Sequence, residues 1–347
     1  MSFDVIRGPY LADILDQPQA LRATLTNLRD QQALEKINRS CTAERFQRVV
    51  LTGMGSSFFG LHPLSLELAA HGWTPLMLET SELIHSYPHL LTPSTLVIAV
   101  SQSGNSVETV RLMELNARTA TVIGVTNWAD STLAQTADFV VLTTAGKEFS
   151  VSCKTYVSAQ LALHVLGAAL CNNDISQRLR EMKPVSQIVE SYLRDWESHV
   201  AEFYDLLHPI RDVFLVGRGT SMAAAGTGAL IIKESAHFHA EGMSSAAFRH
   251  GPFEMLQDGI LVGIFAGDRN STSLNEGLFQ DVLRTPARAV MFAANAQSPA
   301  CRLPDAPEML RPIIEILPVE MMTLALAAHA HREAGKFERA TKVTVIE

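Results

Sequence analysis

The chain has 347 residues, 47% hydrophobic and 18% charged, with a formal net charge of −8. That length supports two domains, each with its own core. The absence of any Lys/Arg run argues against a nucleic-acid partner, and the apolar stretch 159–171 is interrupted by His164 and too short to span a bilayer. The N-terminus lacks a basic segment leading into an apolar one, so no signal peptide is expected. Four scattered cysteines (Cys41, Cys153, Cys171, Cys301) form no CxxC pair, which fits reduced thiols in a cytoplasmic protein and disfavours zinc.

In chain order, residues 13–36 read as one or two helices, with Pro18 near a break or a first helical position. Arg48-Val-Val-Leu-Thr52 reads as a strand entering Gly53-Met-Gly-Ser-Ser57, followed by a helical stretch to about residue 70. Leu76-Met-Leu-Glu79 is a further strand. Ser94-Thr-Leu-Val-Ile-Ala-Val100 is apolar and β-branched, and it ends in Ser101-Gln-Ser-Gly-Asn-Ser106. A helix over 107–117 and strands over 119–125 and 139–143 complete the first half. Short apolar strands alternating with helices predict a parallel sheet covered on both faces.

The second half repeats this order. Asp212-Val-Phe-Leu-Val216 enters Gly217-Arg-Gly-Thr-Ser221, residues 259–265 match the strand ending at Val100, and 287–292 match 119–125. The pattern reads as a duplication, with a polar helical connection over 174–197. Ile313-Ile-Glu-Ile-Leu317 looks strand-like, and a helix from Pro318 to about residue 334 precedes a polar tail. The expected organisation is a helical segment over 1–38, domains over 39–175 and 201–330, a connecting helix over 176–200, and a tail over 331–347 that reaches the active site.

Ser101-Gln-Ser-Gly-Asn-Ser106 sits at the carboxyl end of a buried strand and opens a helix, where open α/β sheets bind ligands. Helix N–H groups and hydroxyls favour phosphate there. A Ser-rich N-cap accounts for the same residues taken alone; the second Ser turn, with Ser56 and Ser57, tilts the reading to a phosphate site. Neither Gly-x-Gly turn is a dinucleotide fingerprint, because Phe58 and Met222 stand where a third glycine is needed. Glu234 follows an apolar helical stretch and is either a solvated residue or a partly buried base. Glu241, seven residues on, shares its face if the helix continues. His250 before Gly251-Pro252 lies on a loop, and Lys342 by default is a solvated lysine.

These motifs in this order resemble the sugar isomerase (SIS) domain family over nearly the whole chain. They are Gly53-Met-Gly-Ser-Ser57, Ser101-Gln-Ser-Gly104, Gly217-Arg-Gly-Thr-Ser221, Lys233-Glu-Ser, His239-Ala-Glu241, His250-Gly-Pro252 and Thr341-Lys-Val-Thr-Val-Ile-Glu347. The nearest resemblance is to the double-SIS isomerase half of glucosamine-6-phosphate synthase and to stand-alone phosphosugar isomerases, deaminases and deglycases. It implies two flavodoxin-like three-layer αβα domains. It implies phosphate and sugar contacts from Ser56, Ser57, Ser101, Gln102, Ser103, Ser106, Val151 and Cys153, with Cys153 and Ser106 replacing a serine and a threonine. Glu234 matches the base that moves a proton between C1 and C2. His250 matches the ring-opening residue that arrives from a neighbouring subunit, which implies a homodimer. Lys342 matches a Schiff-base lysine, although Phe337-Glu-Arg-Ala-Thr341 departs from the pattern before it, and Asn105 stands for the family's Glu.

No glutaminase or helix-turn-helix domain is recognised, and no cofactor or metal is implied. The expected activity is aldose–ketose isomerisation of a sugar 6-phosphate, or deglycation or deamination of an amine-bearing one. The alternative is a silent phosphosugar-binding regulator.

Overall fold

The computed structural model describes residues 4–30 and 32–344. The chain divides into two compact units. The first-sheet unit comprises Gln19–Lys147, Lys154–Pro184 and the tail from Ala340. The second-sheet unit comprises the chain up to Pro18, Glu148–Cys153 and Val185–Arg339.

In the first-sheet unit, β1 (Arg48–Gly53), β2 (Pro75–Glu79), β3 (Thr95–Val100), β4 (Thr121–Thr126) and β5 (Phe139–Leu142) pair in parallel, in the order β2-β1-β3-β4-β5. β1 and β3 lie side by side, with Val49 opposite Leu96 and Leu51 opposite Ile98. All of β3 is buried, hence its unbroken apolar sequence. Val50, Val97, Ala99 and Val122 pack against Leu83, Leu112 and Leu133 from the helices Thr80–His85, Val107–Asn116 and Thr132–Thr136. Each of these Val and Leu side chains contributes about 1.5–3 kcal/mol on burial. The buried helix Lys154–Leu170 packs against β4 and β5.

In the second-sheet unit, β6 (Asp212–Gly217), β7 (Ala240–Ser244), β8 (Ile260–Phe265) and β9 (Arg288–Phe292) are parallel in the order β7-β6-β8-β9. The buried helices Met222–Ala236 and Ile316–His329 pack on each other. The order matches the first sheet less its last strand. The double parallel-sheet α/β architecture read from the sequence is therefore present. In each sheet the chain reverses direction beside the first strand, between β1 and β3 and between β6 and β8, which is where such sheets take ligands.

Several local expectations differ. Residues 313–317 are helical, in Arg311–Ile314 and then Ile316–His329. Five apolar or acidic residues there match a strand period, but the Met, Leu and Ala residues that follow favour a helix. That helix stops at His329 rather than near 334. The helix carrying Glu234 ends at Ala236, with His237 left-handed at φ 51°, so Glu241 falls in β7 and shares no helix face with Glu234. β7 reads Ala-Glu-Gly-Met-Ser and carries no β-branched signal. The N-terminal region holds the helices Pro9–Leu15, Gln17–Asp30 and Gln32–Ser40, and the stretch to residue 70 holds Ser56–Phe59 and His62–Ala70. Residues 174–197 belong to the helices Ile175–Met182, Val185–Leu193 and Trp196–Leu206, separated near Pro184 and Asp195. The tail motif's last three residues lie outside the described chain. Among the described residues no helix is long and apolar enough to cross a membrane.

Candidate functional site

The two Ser-rich turns of the first-sheet unit meet at its switch point. Gly53 makes this approach feasible, because a Cβ there would lie 3.0 Å from the Val100 carbonyl and 3.1 Å from Ser57. Ser56 and Ser57 open a short helix, part-buried, while Ser101 is buried at the end of β3. The Ser101 N–H donates to the Val125 carbonyl at 3.0 Å, and the Ser101 hydroxyl accepts from Gly104 N–H at 3.1 Å. Ser103 accepts from Asn105 N–H at 3.2 Å, and Ser106 Oγ lies 2.8 Å from Thr109 Oγ1. Gly104 has φ 63°, and a Cβ on it would come within 2.2 Å of Ser131 Oγ.

Asn105 has a role of its own. Its Oδ1 accepts from Thr132 N–H at 2.8 Å, tying this loop to the next helix. A neutral amide there keeps the loop free of the negative charge that a carboxylate would bring. The loop is also tied to the tail, since Val107, the first residue of the following helix, donates its N–H to the Thr344 carbonyl at 3.1 Å. Lys342, half-buried, lies two residues from that bond. Seven expected site residues thus gather in this unit: Ser56, Ser57, Ser101, Gln102, Ser103, Ser106 and Lys342.

The other four, Val151, Cys153, Glu234 and His250, belong to the second-sheet unit. Glu234 is part-buried near the end of Met222–Ala236, and the neighbouring Ser235 carbonyl accepts from Gly335 N–H at 3.0 Å. His250 follows the short helix Ser245–Arg249 on an exposed loop, and its N–H donates to the Ala247 carbonyl at 2.9 Å. Val151 and Cys153 are fully buried.

Buried acids surround Cys153 and were not legible as site residues. Glu148 accepts from Cys153 N–H at 2.9 Å and from its thiol at 3.5 Å. Glu320, fully buried, accepts from Gln17 Nε2 at 2.7 Å. Burial pushes Glu320 up to about 8, opposed by the Gln17 hydrogen bond and helped by the Glu148 charge. The Tyr10 phenol, held by Thr323 Oγ1 at 3.3 Å, is raised well above its ordinary value, first by burial, then by Glu320 and Cys153, and least by Glu234. The Glu234 charge thus reaches the Tyr10 phenol of this buried group, in which burial shifts the Glu320 carboxyl towards its protonated form. The signal for it was present: Glu320 is a lone acid in the apolar run Leu317-Pro-Val-Glu-Met-Met322. Among the described residues no group of three or more His, Cys, Asp or Glu is placed to hold a metal.

The family model described as the SIS domain matches residues 45–169 and again 206–330. The chain belongs to the SIS domain family. It is 30% identical over 333 residues to the glutamine–fructose-6-phosphate aminotransferase (isomerizing) of Pyrococcus horikoshii, covering 91% of this chain and 54% of that one. The chain therefore spans about half the length of that relative. In fold, this SIS protein is similar to the C-terminal domain of glucosamine-fructose-6-phosphate aminotransferase from Francisella tularensis. The TM-score is 0.81 at 19% identity, over 94% of this chain and 98% of that one. It is similar as well to glucosamine-6-phosphate deaminase from Thermotoga maritima, with a TM-score of 0.78 at 16% identity, over 98% and 100% of the two chains.

Proposed function

We propose that this chain transforms a phosphorylated sugar or amino sugar by moving a proton between C1 and C2. The observation that carries the reading is the convergence of two Ser-rich turns at the switch point of the first sheet, beside the N-terminus of Val107–Asn116. Phosphate oxygens are received there by hydroxyls and N–H groups. His250, contributed across a homodimer, assists ring opening. Glu234 removes the proton on the carbon next to the carbonyl, and the C–H electron pair forms the enediol double bond while the carbonyl oxygen takes up a proton. Return of the proton to the adjacent carbon, while the hydroxyl on the first carbon gives up its proton and becomes the new carbonyl, gives the isomer. On a 6-phosphofructosamine, the same shift moves the C=X bond onto the amine-bearing carbon, and water then releases the amine. A carboxylate suits both steps, because it accepts and returns one proton. Lys342, two residues from the Thr344 carbonyl that binds Val107, is the amine we assign to meet a sugar carbonyl.

The test is turnover of hexose 6-phosphates, glucosamine 6-phosphate and 6-phosphofructosamines by the chain and by Glu234→Gln. Loss of turnover with retained binding is expected. Full activity of the variant overturns the assignment, and binding without turnover in the unaltered chain favours a regulator.

A further inference from the structure

We propose that the second-sheet unit carries an oxyanion site of its own, at the switch point between β6 and β8, shaped for the phosphate of a small metabolite. It goes beyond the substrate loops of the first sheet and does not depend on them.

The internal repeat places it. The turns after β1 and β6 are built alike, with Gly55 at φ 54° and Gly219 at φ 57°. Thr220 and Ser221 then correspond to Ser56 and Ser57, and Arg218 stands where the first turn has Met54. The substitution turns an apolar position into a guanidinium. The loop after β8, in contrast, holds an anion already: Asp268 Oδ1 accepts from Asn270 N–H at 3.1 Å, Ser271 N–H at 2.9 Å and Ser271 Oγ at 2.7 Å. A ligand at this switch point is therefore left the β6 side, against the segment Arg311–Ile314, which packs on Gly219–Ser221.

That side is lined by polar groups that the fold leaves unsatisfied. Arg218 Nε, Thr220 Oγ1, Arg311 Nε and Glu315 Oε2 are buried and have no hydrogen-bond partner. Glu315 is fully buried; its other oxygen accepts from Ser221 Oγ at 2.8 Å and lies 3.9 Å from Arg311 Nη1. Buried polar atoms are paired in most proteins, so four orphans on neighbouring segments ask for an occupant. Their chemistry selects it. The two guanidinium nitrogens only donate, and the threonine hydroxyl donates. Burial pushes Glu315 up to about 8, against Arg311 and the Ser221 hydrogen bond and with Asp268, which favours the protonated, donating carboxyl. Arg218 and Arg311 bring two guanidinium charges to this set. A set of donors with net positive charge fits a compact oxyanion.

The probe is inorganic phosphate, titrated into the full chain and followed by calorimetry and phosphorus NMR. Two sites per chain are expected. Arg218→Gln with Arg311→Gln should weaken one of them at least tenfold and leave the other, whereas Ser101→Ala with Ser103→Ala should do the reverse. Where the arginine pair unfolds on substitution, Thr220→Val and Arg218→Lys carry the same comparison with smaller losses. Phosphate binding that is indifferent to Arg218, Thr220 and Arg311 overturns the inference. Indifference to Ser101 and Ser103 alone counts instead against the proposed substrate loop.

Discussion

The loops after β3 and β8 occupy the same place in two sheets of the same order, yet their chemistry is opposite. The first offers hydroxyls and N–H groups and carries the neutral Asn105, whose Oδ1 accepts from Thr132 N–H. The second closes on its own Asp268. The fully buried Glu315 and Glu320 and the part-buried Glu234 belong to the second-sheet unit, while the buried Glu108 belongs to the first. Duplication here kept the strand order while the loops on the two copies diverged in chemistry.

The sharpest blow to that contrast falls on the acid side. Glu234→Gln should lower kcat by about a hundred- to ten-thousand-fold, the usual worth of a general base, with KM nearly unchanged. On the donor side, Ser101→Ala with Ser103→Ala should raise KM about tenfold or more, since hydrogen bonds to a charged group contribute about 1.5–3 kcal/mol each. Asp268→Ala should instead cost about 1–2 kcal/mol of stability in denaturant unfolding, as a lost helix cap does. If both loop substitutions moved phosphate affinity alike, the distinction between the loops would collapse.

The effect at Glu320 depends on pH. Its ordinary carboxyl value is 4.5, while the folded protein holds the proton until about 8. Between those values the folded state binds more protons than the unfolded one, so stability is lost as pH rises through the window. Glu320→Gln mimics the protonated acid and keeps an oxygen for Gln17. It should therefore be close to neutral at acidic pH and increasingly stabilising towards pH 8, as read by melting temperature. A variant that is destabilised equally at all pH values would show that Glu320 is ionised.

Strands such as β3 and β8 were legible because burial on both faces writes a continuous apolar run, and the Ser101 loop because a glycine turn follows such a run. β7 was not legible: its pairing with β6 is made by backbone, and its side chains carry no signal. The stretch 313–317 mimics a strand locally, and its Glu315 bonds Ser221, 94 positions away in the chain, a contact no local pattern announces. The same holds for the site. Ser101, Ser103 and Glu234 were marked by local pattern and family resemblance. The Tyr10, Glu148 and Glu320 network joins three distant segments and exists only after folding.

The shorter second sheet has one more consequence. Among the described strands β9 pairs with β8 alone, whereas its counterpart β4 is flanked by β3 and β5. Directly after Phe292 the chain continues into a parallel bridge between Ala293 and Arg302, where Ala293 N–H donates to the Cys301 carbonyl at 3.3 Å and Leu303 N–H donates to the Ala293 carbonyl at 3.0 Å. The segment around Arg302 thus stands at the end of β9 where the first sheet has its fifth strand, and a short main-chain clasp there blunts part of an edge that would otherwise offer unpaired donors and acceptors.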